Sequence, residues 1–292
     1  MRIALAGSKG QLGWEIENRA VSHGFEISPA DLPELDITDR SSVEEWIESA
    51  SPSVVINAAA YTNVDQAEDE EALAFRVNSD GPANLAAVCS AQGVPLIHLS
   101  TDFVFDGTAT EPYAPDAPVS PIGAYGRSKA AGDEKIRDRL VENVIVRTSW
   151  LYGVHGHNFV KTMLRLGAER DVLGVVDDQS GSPTCAADLA EALLTIAAPI
   201  CSGADVVWGT YHCCGAGVTT WCGFTRAILD FARQFGSAPL ARVEPITTAD
   251  YPTRAQRPVY SALDCRSLEE NFGIESPPWQ ESLEKTIRQL LA

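Results

Sequence analysis

Arg2-Ile3-Ala4-Leu5-Ala6-Gly7-Ser8-Lys9-Gly10-Gln11-Leu12-Gly13 lies at the start of the chain and decides the reading of its fold. Residues 2–6 read as a short buried strand, and Leu12, Ile16 and Ala20 then recur at helical spacing. Strand, glycine-rich turn and helix make the first unit of a dinucleotide-binding fold. Gly7 permits the tight turn. Gly10 lets the backbone approach a pyrophosphate at the helix N-terminus, and Gly13 lets the helix pack closely on the strand. The spacing is Gly-x-x-Gly-x-x-Gly rather than Gly-x-Gly-x-x-Gly, so its weight comes from its place in a strand–turn–helix unit.

Outward from this unit, strands are predicted at 25–28, 54–60, 94–99 and 144–148, the last three buried. Helices are predicted at 67–77, at 81–92 with Gly93 as the stop, and at 125–140. Ser41 and Glu44 form a capping box that opens a helix through Trp46. Strands and helices alternate up to about residue 150, which implies a parallel, doubly wound sheet. The alternation then breaks. Helices are expected at 158–169, 186–198, 220–235 and 279–291, strands at 172–176 and 208–214, a loop at 177–179, and a turn-rich stretch over 245–261. The expected fold is α/β: a Rossmann-type doubly wound parallel sheet over 1–150, rejoined by about 178–200, with a smaller α/β substrate-binding domain made mainly of 151–292.

The strand at 94–99 runs into Leu99-Ser100-Thr101-Asp102-Phe103, and a loop with four prolines leads to Tyr125-Gly126-Arg127-Ser128-Lys129. Tyr125 and Lys129 are four apart and share a helix face. A strand-end threonine facing such a pair is a proton-transfer device. The ammonium favours the phenolate, and the Thr101 hydroxyl can hold the oxygen that receives the proton. A Tyr-x-x-x-Lys pair is common on helices, so the Ser-Thr-Asp before it and the N-terminal turn carry the case. Ala58-Ala59-Ala60 ends its strand in small residues, which suits either a flat cofactor or an ordinary buried strand end. Trp150, just past a strand, fits either the pocket or the core.

The 292 residues allow one large domain or two modest ones and a sizeable core, and 45% are hydrophobic. A net charge of −18 argues against nucleic acid as the main partner, since phosphate binding needs a basic face. Seven cysteines, an odd number with no Cys-x-x-Cys spacing, fit a reduced cytoplasmic protein and make a zinc site improbable. No signal peptide and no membrane-spanning run is expected.

Ordered motifs along the whole chain resemble those of the extended short-chain dehydrogenase/reductases. They are Gly7-x-x-Gly-Gln-Leu-Gly-Trp-Glu, Asn57-Ala-Ala-Ala-Tyr-Thr-x-Val-Asp, Ser100-Thr-Asp-Phe-Val-Phe-Asp-Gly, Tyr125-Gly-x-x-Lys and Arg147-Thr-Ser-Trp-Leu-Tyr, followed by Asn158-Phe-Val-Lys-Thr-Met-Leu, Asp178-Gln-x-Gly-Ser-Pro-Thr and Arg257-Pro-x-Tyr-Ser-x-Leu-Asp. The resemblance implies NADPH- or NADH-dependent reduction of a dTDP-linked 4-ketosugar, dTDP-4-dehydro-L-rhamnose, by a monomer or homodimer. It implies Thr101, Tyr125 and Lys129 as the catalytic trio, the last two also touching the cofactor. Gly7, Gly10, Gln11, Leu12 and Gly13 would cradle the pyrophosphate, with Asp36 and Ile37 flanking the adenine. Ala58, Ala60, Tyr61, Thr62 and Leu99 would line the rest of the cofactor path. Val64, Thr101, Asp102, Phe103 and Trp150 would contact the substrate.

Two departures from the family pattern matter. Some members dimerise through magnesium held by glutamates. Glu15 matches one ligand, but Ala187 stands where a second would fall, so no such metal is expected. No acidic or basic residue is clearly placed for the adenosine ribose, Asp31 being nearest, and this leaves NADH versus NADPH open. Three rival readings share the fold: a reductase of another nucleotide-linked 4-ketosugar, a non-catalytic subunit like the regulatory subunit of methionine adenosyltransferase, and a dehydratase or epimerase. The complete trio argues against the second. Asp102 as a single carboxylate argues against the third.

Overall fold

The computed structural model describes residues 1–236 and 240–292. In chain order the elements are β1 (Arg2–Ala6), α1 (Gln11–Ala20), β2 (Glu26–Ala30), α2 (Arg40–Ala50), β3 (Val54–Asn57), α3 (Glu71–Phe75), α4 (Gly81–Gln92), β4 (Leu96–Thr101), α5 (Ala124–Arg139) and β5 (Asn143–Thr148). They continue with β6 (Leu151–Tyr152), α6 (Phe159–Glu169), β7 (Val172–Val176), β8 (Ser180–Gly181), β9 (Thr184–Cys185), α7 (Ala186–Ser202), β10 (Gly209–His212), β11 (Thr219–Thr220), α8 (Trp221–Gln234), β12 (Arg242–Ile246), α9 (Arg266–Phe272) and α10 (Trp279–Leu291).

Six strands form one parallel sheet in the order β10-β5-β4-β3-β1-β2. Successive side chains leave a strand on opposite faces, and each face has its own core. Ile3, Leu5, Val54, Ile56, Val144 and Val146 pack under α1 and α7. Ala4, Ala6, Val55, Leu96 and Ile145 pack under α2, α4 and α5. The strand order reverses between β1 and β3, and a ligand crevice opens at such a switch point, beyond the carboxyl ends of the strands. Gly7 follows β1 at φ +80°. A Cβ there would lie 2.5 Å from the Ala59 nitrogen, and a Cβ on Gly13 would lie 2.3 Å from the Gly7 carbonyl oxygen. Both glycines are required by close backbone approach.

A third core joins Tyr152, Val160, Met163, Phe224, Ile228, Trp279, Leu283 and Ile287. It underlies three two-stranded pairs: β11 with β8, β12 with β7, and β6 with β9. The element pattern read from sequence differs in five places. The strand expected over 54–60 ends at Asn57, so Ala58, Ala59 and Ala60 lie beyond it. Asp39, not Ser41, caps α2, because its carboxylate accepts the Ser41 N–H. The helix expected over 67–77 is a 3₁₀ turn, α3 and a π-turn at Arg76–Asp80. The strand expected at 208–214 spans only Gly209–His212, so Cys213 and Cys214 lie beyond it. The turn-rich stretch at 245–261 begins inside β12, and α9 and the two-residue strands carry too few residues to show a periodicity.

Candidate active site

A cavity of about 590 Å³ opens where β1, β3, β4 and β5 end. The backbone of Gly10, Gln11, Leu12 and Gly13 forms one wall, at the start of α1. Gly10 caps that helix without a side-chain hydrogen bond, and its first turn holds no acidic residue. Its free N–H groups and the positive end of the helix dipole suit an anion. Ala58, Ala60, Thr62 and Val64 line the cavity from the β3 side, and Leu99, Thr101, Asp102 and Phe103 from the end of β4. Tyr125, Lys129 and Trp150 complete it.

Four expected residues lie outside this lining. Gly7 supports the wall from behind. The Asp36 carboxylate is turned onto the Thr38 N–H and hydroxyl. Ile37 is buried against Gly81, beneath the sheet. The Tyr61 hydroxyl donates to Glu70. Asp31 directly follows β2, and its two oxygens accept the backbone N–H groups of Lys9 and Leu32. The Glu15 carboxylate is buried against Arg19, which also meets Glu191 at 3.2 Å. No group of three metal-ligating side chains occurs among the described residues.

Tyr125 comes from the first turn of α5 and packs edge-on against Phe103, with ring centroids 5.6 Å apart. Burial pushes its phenol above the ordinary value, as do the charges of Asp102 and Asp133; the Thr101 hydroxyl pulls it back. The i, i+4 spacing predicts that Lys129 favours the phenolate. Here the Lys129 ammonium is directed elsewhere, donating to the Leu99 carbonyl at 2.6 Å and lying 3.3 Å from His98 Nε2. Tyr125 is therefore a protonated phenol, the form a proton donor needs. Burial brings Lys129 down to about 8, against the raising effect of Asp133.

Thr101 Oγ1 donates to Asp102 Oδ1 at 3.0 Å and accepts from the Phe103 N–H at 3.2 Å. Asp102 is buried, and desolvation raises it to about 6 against the hydroxyls of Ser261 and Thr101 and two backbone N–H groups. Trp150 sits at φ +48°, and its ring stacks on Trp221 with centroids 3.5 Å apart. A Cβ on Gly181 would meet that ring at 2.7 Å. Within the π-turn, Asn78 holds the Tyr61 backbone by two hydrogen bonds and donates to Ser128 on α5, tying the β3 loop to that helix.

His98, Asn57, Asp133 and Trp221 were not read as functional. One signal for the first and third was present. His98 and Ser100 are polar residues two apart in an apolar strand, so they share a buried face. Asp133 lies four residues beyond Lys129, on its helix face.

A family model described as the RmlD substrate binding domain matches residues 1–292. A dTDP-4-dehydrorhamnose reductase of Aggregatibacter actinomycetemcomitans is 43% identical over 291 residues, covering 98% of each chain. A solved dTDP-4-dehydrorhamnose reductase from Clostridium acetobutylicum superposes with a TM-score of 0.93 at 39% identity, covering 100% of both chains. One from Bacillus anthracis, solved in complex with NADP, superposes with a TM-score of 0.92 at 37% identity, covering 99% of both.

Proposed function

The chain belongs to the family described as the RmlD substrate binding domain, and on that footing we propose that it reduces dTDP-4-dehydro-L-rhamnose to dTDP-L-rhamnose with NADPH or NADH. The observation that carries this reading is the meeting of Thr101, Tyr125 and Lys129 in the same cavity as the uncapped α1 N-terminus. The residues present fit a dinucleotide. The close backbone approach at Gly7 and Gly13 keeps the turn tight, and the free N–H groups of α1 would hold the pyrophosphate. A bound reduced nicotinamide supplies the hydride to C4.

The chain's own residues do the rest. Tyr125 gives its proton to the C4 oxygen as negative charge develops there, so that no full alkoxide has to persist in a dry pocket. Thr101 turns its hydroxyl from Asp102 to that same oxygen and fixes the carbonyl. Lys129 would hold the nicotinamide ribose beside Tyr125. Ala58, Ala60, Thr62 and Leu99, with Tyr61 behind them, would border the cofactor, and Val64, Asp102, Phe103 and Trp150 would border the sugar nucleotide. We assign the nucleotide-binding unit to residues 1–150 completed by α7 and β10, and the substrate-binding unit to most of 151–292. The proposed setting is the cytoplasm, as a monomer or homodimer; no helix among the described residues is long and apolar enough to cross a membrane.

The test is an assay of purified protein with dTDP-4-dehydro-L-rhamnose, following loss of reduced-nicotinamide absorbance with each cofactor. Oxidation of cofactor matched by formation of dTDP-L-rhamnose is the expected result. Binding of cofactor without turnover of this sugar would overturn the reading.

A further inference from the structure

Behind the cavity wall, buried polar groups surround Lys129. His98 lies on β4 with no exposed surface. Its Nδ1 is 3.0 Å from Asn57 Nδ2, and its Nε2 is 3.3 Å from Lys129 Nζ and 3.9 Å from Asp133 Oδ1. The Asn57 amide is oriented by a third partner, because its Oδ1 accepts the Ala59 N–H at 3.0 Å. Flipping the amide would set its NH₂ against that N–H. Nδ2 is therefore the group facing His98, and His98 Nδ1 must accept. Burial and the Lys129 charge hold the ring well below the ordinary histidine value, so it is neutral. Its one N–H then sits on Nε2.

That N–H points at Lys129 and Asp133. An ammonium has no lone pair and cannot accept it, whereas a neutral amine can. Asp133 Oδ2 accepts from Ser100 at 2.9 Å and from Arg147 Nε at 3.4 Å, but its Oδ1 is buried without a hydrogen-bond partner. While Lys129 is charged, the His98 hydrogen faces only Asp133 Oδ1, 3.9 Å away and outside hydrogen-bond distance. A neutral Lys129 Nζ, at 3.3 Å, can accept it.

We propose that His98 is a positioning residue for Lys129: fixed by Asn57 in the Nε2–H form, it denies the ammonium an acceptor on that side, leaves Nζ to the Leu99 carbonyl, and can give its own hydrogen bond to Nζ only when the amine is neutral, so that it favours the neutral amine. The other groups facing Lys129 are accounted for. Tyr125 and Asp133 share its helix, and the Leu99 carbonyl faces it from β4. Arg147 on β5 offsets the Asp133 charge, and Asp102 lies beyond Tyr125. The consequence for catalysis rests on Lys129 belonging to the reacting centre; its titration does not.

The experiment is NMR on the ligand-free protein labelled with ¹³C at lysine Cε and ¹⁵N in histidine. The chain has five lysines and five histidines, so Lys129→Met and His98→Gln assign the two signals. Wild-type His98 should show the neutral Nε2–H pattern from pH 6 to 9, with Lys129 titrating near 8. In His98→Gln the side-chain carbonyl can face Nζ, and the Lys129 midpoint should rise by about one pH unit. Asn57→Asp, which offers His98 only acceptors, should invert the tautomer to Nδ1–H, and this readout survives if the glutamine variant does not fold. The alkaline limb of kcat/KM should move with the Lys129 midpoint. An Nδ1–H tautomer in the wild type, or an unmoved Lys129 midpoint in folded His98→Gln, would overturn the proposal. Failure of the ketosugar assay with these NMR results intact would overturn the functional reading alone.

Discussion

Tyr125 holds its proton because burial and the charges of Asp102 and Asp133 disfavour the phenolate, and that proton is what a developing alkoxide would require. Tyr125→Phe keeps the ring and should lower kcat by roughly 10²–10⁴-fold with cofactor affinity nearly intact. Single-turnover measurements are the check, since product release cannot mask the chemical step there; a wild-type rate would remove Tyr125 as donor. Thr101→Val should also act on kcat, and Thr101→Ser should recover much of the loss. Asp102 makes a different prediction, about stability. Its folded-state value, about 6, lies above its ordinary 3.8. Folding therefore takes up a proton between about pH 4 and 6, and the stability available below that range is lost as pH rises through it. Asp102→Asn should be more stable than the wild type by about 1–3 kcal/mol at pH 7.5, with no difference below pH 4. Urea unfolding at the two pH values measures it. That Thr101, Tyr125 and Lys129 line one cavity was legible in the sequence, because a strand end and an i, i+4 spacing are local facts. The network of His98, Asn57 and Asp133 was not, because it depends on which buried faces of β3, β4 and α5 meet.

The glycine turn separates two roles that the sequence could only list together. Gly10 has φ −73°, which any residue can adopt, and a Cβ there would meet only the Gly7 carbonyl at 3.2 Å. Gly13 would drive a Cβ into the Gly7 and Ser8 backbone at 2.3–2.6 Å. Gly10→Val should therefore fold and lose cofactor affinity, because its side chain enters the space of the pyrophosphate. Gly13→Ala should lose stability instead, by about 1–3 kcal/mol, since backbone must shift. Cofactor titration and thermal melts on both variants distinguish the cases, and unchanged affinity in Gly10→Val would remove this turn from the cofactor site. Helix α5 is fitted as tightly. Cβ atoms on Gly126 and Gly132 would each lie 2.1 Å from a backbone oxygen, of Phe103 and Asn78 respectively. Element ends were legible where one residue decides them, as at Gly93, which closes α4 at φ +65°. They failed where two residues competed, as Asp39 and Ser41 did for the start of α2.

At the scale of the molecule, the site is completed from both halves of the chain. Trp150 leaves β5 and lines the cavity, but its ring is held by Trp221 at the start of α8 and by the bare backbone at Gly181. Phe159, at the start of α6, packs against Trp221 with centroids 4.5 Å apart. No local pattern could have paired residues 150 and 221, and the sequence left Trp150 open between pocket and core. The structure gives its ring one face against Trp221 and a place on the cavity wall, so both kinds of effect are expected on substitution. Trp150→Phe keeps a ring but loses overlap with Trp221, which should cost about 1 kcal/mol and lower Tm by a few degrees. The same change should raise KM for the sugar nucleotide several-fold and leave cofactor affinity unchanged, because the α1 turn that would hold the dinucleotide is untouched. Trp221→Ala should raise the same KM without lining the cavity itself, by releasing Trp150 from its stacked position. A fall in Tm with unchanged KM in both variants would make the pair packing alone and leave the sugar to be held by the end of β4.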